Sequence, residues 1–357
     1  MSGAHVGTRV AAAATLAVLL LSLIPPAEGR TLLFADFGAN RGPRAAALQW
    51  FADELRRRSK GSLEVRFHWG GSLLGANAML QGVADGVADL GSITAFSWPR
   101  TLRGYNIGDL PVDNADIWVG MRAMYELATT HPELAAEFER AGVAYVTNYS
   151  TGPIQLICTR GLGGLAELQG TRLRGSGPYA QILAELGARV QRMSQPDVYQ
   201  ALASGLLDCN QNYYYGMLAY RQYEVAAHVL ELDWGQNLAF GIVMSRRTRA
   251  SLSAEEQRIL AGVGSDFIDH FAQRMLAADA EARSAMSAGI GRARITVAKL
   301  PAAEQAQLQV AGDRHVGRWL AEATADGRDG AGILAAYRQH LAGYTRERDA
   351  GGYPWTR

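Results

Sequence analysis

Between Thr171 and Val225 the chain alternates strand and helix signals in a way that leaves few folds open. The order is strand, helix, strand, helix, strand, closed by an aromatic turn at Tyr213-Tyr214-Tyr215. Strands joined through helices in this order make a parallel α/β unit. Arg174 stands where the first of these strands meets its helix, and Asn212 stands just past the third. We read the stretch as half of a small-molecule cleft.

The N-terminal part carries a second unit of the same kind. Thr31 to Phe37 reads as a strand, and Gly42-Pro43 starts a helix with Leu48, Phe51, Ala52 and Leu55 on one face. Leu63, Val65 and Phe67 alternate with charged residues, as a half-buried strand does. A further helix is expected with Ala76, Met79, Leu80, Val83 and Val87 on one face, then a strand over Ala88 to Thr94. Asp113 with Asp116 resembles a capping box for a helix reaching about Ala128, and Pro132 to Ala141 is another helix. Val143 to Ile157 is extended and broken at Gly152-Pro153, where the first crossing between two lobes is expected. Leu238 to Met244 is apolar and extended and returns the chain. Ser253 and Glu256 form a capping box for a very long helix, striped by Leu260, Val263, Phe267, Phe271 and Met275 and persisting to about Ser287. No heptad is sustained, so it is read as spanning both lobes. A late strand (Arg294 to Leu300), a helix opened by Pro301, a loop (Asp326 to Gly332) and a last helix follow. The expected division is residues 30–151 with about 240–285 as the first lobe, 152–239 with about 286–345 as the second, and 346–357 as a C-terminal tail.

Residues 1–29 have the layout of a secretory signal. Arg9 is followed by an apolar run from Val10 to Ile24, the helix-breaking Pro25-Pro26, and Ala27-Glu28-Gly29 before Arg30. The apolar run is shorter than the ~20 residues of a spanning helix, so secretion is favoured over an uncleaved anchor, and a periplasmic location is expected. The net charge of +1 gives no bulk electrostatic case for nucleic acid as a partner. The seven histidines are scattered and form neither HExxH nor an i, i+4 pair, so no metal is expected, and no cofactor signature is present. Ser176 lies between glycines without the G-x-S-x-G frame, and no nucleophile and base set is recognisable, so the chain is not read as an enzyme.

Several motifs in sequence order carry a family resemblance. They are Leu173-Arg174, Val198-Tyr199-Gln200-Ala201-Leu202 with Leu207-Asp208, Tyr223-Glu224-Val225, and Leu252-Ser253-x-Glu255-x-Gln257-x-Ile259-Leu260. The first half adds Phe51-Ala52-x-Glu54-Leu55, Gly71-Ser72-Leu73-Leu74-Gly75 and Gly86-x-Ala88-Asp89. Together they resemble the solute-binding proteins of TRAP transporters, the DctP-type family. The resemblance implies a type II-like periplasmic binding protein of two mixed sheets flanked by helices, with one long helix across both lobes. It implies capture of an organic acid and delivery to small and large membrane permease subunits. A secreted sensor that presents an acid to a membrane receptor would use the same cleft and stays open as an alternative.

The resemblance makes Arg174 the carboxylate anchor and Asn212 a ligand contact. A guanidinium matches a carboxylate with two hydrogen bonds, and the helix N-terminus beyond Gly175-Ser176-Gly177 favours an anion. Two departures bear on the ligand. Cys209-Asn210-Gln211-Asn212 stands where Gly-Gln-Glu-Asn is common, and the hinge-strand arginine of sialic-acid-type members is Ile154 or Gln155 here. Less positive charge argues against a ligand with several acidic groups. Tyr213 and Tyr215 (one of the triplet facing the cleft), Trp98, Trp234, Thr94 and Gln155 are further ligand-binding candidates, with Ser97 and Asn40 or Arg41 behind them. Aromatic walls suit a small acid with an apolar or aromatic part. Cys158 and Cys209 fall on strands that the resemblance allows to be sheet neighbours. Facing Cβ atoms lie about 4.5–5.5 Å apart, wider than the ~3.8 Å of a disulfide. The expectation leans to two thiols, with a disulfide the open alternative.

Overall fold

Apolar residues at alternate or helical spacing organise one core in the first lobe and two clusters in the second, and the connections between them define the molecule. The computed structural model describes residues 29–112 and 114–357. Residues 1–28, which hold nearly all of the expected signal segment, and Asp113 lie outside the described residues.

Strand β1 (Arg30–Ala35) is followed by α1 (Gly42–Arg58), whose buried face is Ala45, Ala47, Leu48, Phe51, Ala52 and Leu55. Strand β2 (Leu63–His68), α2 (Met79–Ala84) and β3 (Leu90–Thr94) complete a parallel unit, with β2 and β3 both parallel to β1. The expected long helix from Ala76 to Val87 is instead a 3-10 turn over Ala76–Ala78 and the six residues of α2. Gly86, at φ +78°, stops it, and Val87 is exposed. Helices α3 (Ile117–Thr130) and α4 (Pro132–Arg140) lead to β4 (Val143–Tyr149). Asp116 is the N-cap of α3, accepting from the Val119 N–H at 2.8 Å.

The chain crosses at Ser150–Pro153 into β5 (Ile154–Cys158). Then come β6 (Arg172–Arg174), α5 (Gly177–Glu185), β7 (Arg189–Gln191), α6 (Val198–Ala203), β8 (Cys209–Asn212), α7 (Tyr214–Ala219) and β9 (His228–Trp234). It returns through residues 235–239 to β10 (Phe240–Ser245), which slots antiparallel between β3 and β4. The first sheet is therefore ordered β2-β1-β3-β10-β4. The second is ordered β11-β9-β5-β8-β6-β7, with β11 (Thr296–Lys299) parallel to β9. Both sheets are mixed.

After the short α8 (Arg246–Ala250) comes α9 (Ala254–Ala288), 35 residues long and started by the Ser253–Glu256 capping box. Leu260, Val263, Phe267, Phe271 and Met275 pack in the first lobe's core, and Ala282 and Met286 pack in one of the second lobe's two clusters. Helix α10 (Ala302–Ala325) spans the lobes too: Leu308 and Ala311 belong to the second lobe's other cluster, Val316 and Trp319 to the first lobe's core. Helix α11 (Gly330–Gly351) buries Ile333, Leu334, Tyr337 and Leu341 in the first core, whereas the sequence placed this region in the second lobe. The expected tail begins inside α11. Beyond it, Tyr353 stacks on Trp355 and donates its hydroxyl to Asp116.

Cys158 and Cys209 form a disulfide, against the expectation of two thiols. They face each other in the antiparallel β5–β8 pair, next to the Thr159 N–H donating to the Asp208 carbonyl. The cysteines thus occupy a narrow, non-hydrogen-bonded position, where strands approach most closely, and their Cα atoms lie 4.1 Å apart. The average spacing used in the sequence argument was too wide for this position.

Candidate ligand site

Strands β6 and β8 run parallel and end at the same edge of the second sheet. That edge faces the first lobe across a cavity of about 1020 Å³. Ligands of open α/β sheets gather beyond such carboxyl ends, and a cavity of this size is ample for a small organic ligand.

Arg174 is the last residue of β6 and lines the cavity. Its Nε donates to the Met193 carbonyl at 3.1 Å, its sole hydrogen bond among the described residues, so both Nη groups are free to serve a ligand. Burial lowers its pKa from the ordinary value, and no carboxylate acts against this. A half-buried guanidinium with no anionic partner among the described residues keeps part of its charge away from water uncompensated. Next to it, Gly177 at φ +70° opens α5, and its Cα faces Phe96 of the first lobe closely: a Cβ there would stand 3.3 Å from the Phe96 ring. Gln211 fixes this turn by accepting the Ser176 N–H at 3.3 Å, which leaves the Gln211 amide nitrogen as a donor.

Asn212 ends β8 and is almost fully buried on the cavity wall. Its Nδ2 donates to Gln222 Oε1 at 2.8 Å, and Asn210 Nδ2 donates to the same oxygen at 3.0 Å. The two asparagine Oδ1 atoms and Gln222 Nε2 are buried without partners. Rotating the three amides by 180° joins these orphans to one another, with Gln222 Nε2 donating to both asparagine oxygens.

Tyr213 and Tyr215 both line the cavity, their rings tilted at 34° with centroids 4.6 Å apart. Tyr214 between them faces the core and donates to Glu231 at 2.7 Å, as the turn into α7 requires. Burial raises the pKa of both cavity tyrosines, so they stay protonated donors. Thr94, Ser97 and Arg41 also line the cavity; Thr94 and Ser97 share a 2.8 Å hydrogen bond.

Three of the expected site residues lie elsewhere. Gln155 is fully buried on the opposite face of β5, where Oε1 accepts the Leu232 and Asp233 N–H groups and Nε2 donates to Asp233 at 2.6 Å. It closes the irregularity in the β5–β9 ladder. Its neighbour Ile154 lines the cavity instead, since adjacent strand residues face opposite ways. Trp234 packs edge-on against Tyr179 at 4.9 Å in the second lobe. Trp98 packs against the first core. Neither they nor Asn40 are among the cavity residues.

The sequence reading also missed a group on the first-lobe wall. Arg44, one turn into α1, donates through Nη1 and Nη2 to Asp36 at 3.0 and 2.8 Å. A cation in the first turn opposes the helix dipole, a signal that an acid must stand nearby. Burial pulls the Arg44 pKa down, but Asp36 more than reverses this, and the guanidinium stays charged.

Residues 34–322 match the sequence profile of the bacterial extracellular solute-binding proteins, family 7 (DctP). A solute-binding protein of Albidiferax ferrireducens is 25% identical over 253 residues, which cover 67% of this chain and 69% of that protein. A TRAP periplasmic solute-binding protein of Bordetella bronchiseptica, with bound (R)- and (S)-mandelate, has a TM-score of 0.79 at 20% identity, covering 88% of this chain and 99% of that one. A TRAP solute-binding protein of Rhodoferax ferrireducens, in complex with copurified benzoate, has a TM-score of 0.79 at 19% identity, covering 89% and 99%. At these identities the structural likeness speaks for the fold.

Proposed function

The chain belongs to the bacterial extracellular solute-binding proteins of family 7, and from that membership we propose that it captures a small monocarboxylate in the periplasm and delivers it to the small and large membrane subunits of a TRAP permease. Members of this family are binding proteins, not enzymes. The observation that carries the ligand class is Arg174: a half-buried guanidinium with, among the described residues, both Nη groups free and no acidic partner, set at a strand end over the N-terminus of α5.

The carboxylate takes the Arg174 fork, with Asn212 and the amide of Gln211 donating from β8. Tyr213, Tyr215, Phe240 and Ile154 supply an aromatic and apolar surround for the rest of the ligand. Mandelate and benzoate, bound by two relatives of the same fold, are acids of that class. Both lobes contribute to the cavity, so a ligand that touches both favours the closed arrangement by population shift. The closed form is then the shape offered to the permease.

A thermal-shift series with benzoate, mandelate and pyroglutamate beside their carboxamides tests this. An acid at 100 times its dissociation constant adds about 2.7 kcal/mol of stability, and its amide adds none. Stabilisation by the amides equal to that by the acids, or by no acid at all, contradicts the carboxylate reading.

A further inference from the structure

Arg44 and Asp36 form a second polar group on the cavity, on the lobe opposite Arg174. Asp36 is fully buried, and its acceptor sites are all taken. Oδ1 accepts from the Gly38 N–H at 2.7 Å and from Arg44, and Oδ2 accepts from Ser92 Oγ at 2.7 Å and from Arg44. Asp36 therefore has nothing left to offer a ligand except repulsion of an anion. Arg44 differs. A guanidinium has five N–H donors, and this one uses two of them, both on Asp36. Its side chain keeps 15% exposure and lines the cavity, held over the Tyr149 ring at 5.8 Å. Arg44, Arg174 and Tyr213 all line this one cavity, the two guanidiniums from opposite lobes.

We propose that Arg44, neutralised by Asp36, is a specificity-determining residue that selects acids with a neutral acceptor oxygen, a hydroxyl or keto group, apart from the carboxylate, and that the pair disfavours a second carboxylate. The inference rests on the reading that the carboxylate sits on Arg174. An ion pair with spare donors gives direction without net charge. A hydroxyl oxygen there gains a hydrogen bond from a charged donor, whereas a second carboxylate meets the Asp36 charge beside that donor. A site built to hydrogen-bond a ligand oxygen also discriminates strongly against the analogue that lacks it. Because Arg44 is on the first lobe and Arg174 on the second, such an acid ties the lobes together.

Calorimetry with benzoate, the three hydroxybenzoates and the matching benzenedicarboxylates tests the inference. In the wild type the best hydroxybenzoate is expected to bind about tenfold tighter than benzoate or more, and its dicarboxylate counterpart more weakly than the hydroxy acid. Asp36→Asn uncovers the Arg44 charge and is expected to raise the dicarboxylate relative to the hydroxy acid by about tenfold. Arg44→Lys keeps a charge partner for Asp36 but removes the fork, and is expected to bring the hydroxyl preference to within about threefold. Equal wild-type binding of benzoate and every hydroxybenzoate overturns the inference, whether or not the variants fold. So does a hydroxyl preference that Arg44→Lys leaves intact, or a dicarboxylate ratio that Asp36→Asn leaves unmoved. If Arg174→Ala abolishes binding while the hydroxyl preference ignores Arg44, this inference alone fails. If Arg174→Ala binds benzoate as the wild type does, the anchor reading fails first.

Discussion

At Gly38 there is no room for a methyl group: a Cβ would stand 2.0 Å from Nη2 of Arg44 and 3.0 Å from Oδ1 of Asp36. The backbone there is ordinary, so the constraint is the close seat of the guanidinium. Gly38→Ala is expected to push Arg44 off Asp36 and to cost on the order of 3 kcal/mol, since breaking a buried pair leaves an uncompensated charge. Urea melts of the two proteins check this, and superimposable transitions would show that the guanidinium yields freely. The place of Arg174 at a strand end on the cavity wall was legible from the strand–turn–helix pattern, whereas its anchor role was implied only by the family resemblance. Arg44 was not, because its acid stands eight residues away across a loop and becomes a partner only when β1 and α1 pack together. Gln155 shows the limit of reading position without parity: its strand was placed, but which of Ile154 and Gln155 faces the cavity depends on register.

Among the elements, the β5–β8 pair is tied by the Cys158–Cys209 disulfide, which closes a loop of 51 residues in sequence separation. Restricting an unfolded chain over such a loop is worth about 2–4 kcal/mol. Cys158→Ser with Cys209→Ser is expected to lower stability by that amount. A melting temperature that is unchanged in the double variant would mean the bridge is dispensable. A titrating group holds the return crossing from the turn over Tyr105–Asp109. Asp109 accepts the Ala239 N–H at 3.0 Å, and burial raises its carboxyl pKa from 3.8 to about 7. The folded chain keeps a proton that the unfolded chain gives up above about pH 4, so this group's contribution to stability falls as pH rises from about 4 to about 7 and then levels. Asp109→Asn is expected to flatten the pH profile of urea stability in that window. Asp279, which burial lifts to about 6, leaves a smaller slope of the same sign. A profile identical to wild type would exclude Asp109 as its source. Helix α9 was legible from its capping box and unbroken apolar stripe. The bridging role of α10 was not, because Leu308, Ala311, Val316 and Trp319 look like one amphipathic face until two lobes are found to share it.

For the whole molecule, two parallel units, a long bridging helix and a cleft between them followed from periodicity and motif order. The mixed character of each sheet came with the family resemblance rather than from spacing: β10 and β5 are extended apolar segments whose antiparallel insertion depends on where the chain crosses. The docking of α11 on the first lobe had no local signal, since its buried stripe fits either lobe equally well. The central claim is that the closed molecule holds a carboxylate on Arg174. Calorimetry with the tightest-binding acid, comparing wild type with Arg174→Ala, tests it most directly. Loss of about 2–5 kcal/mol, a fall of roughly thirtyfold or more in affinity, is the predicted result. Equal affinity of the two proteins for that acid would contradict it.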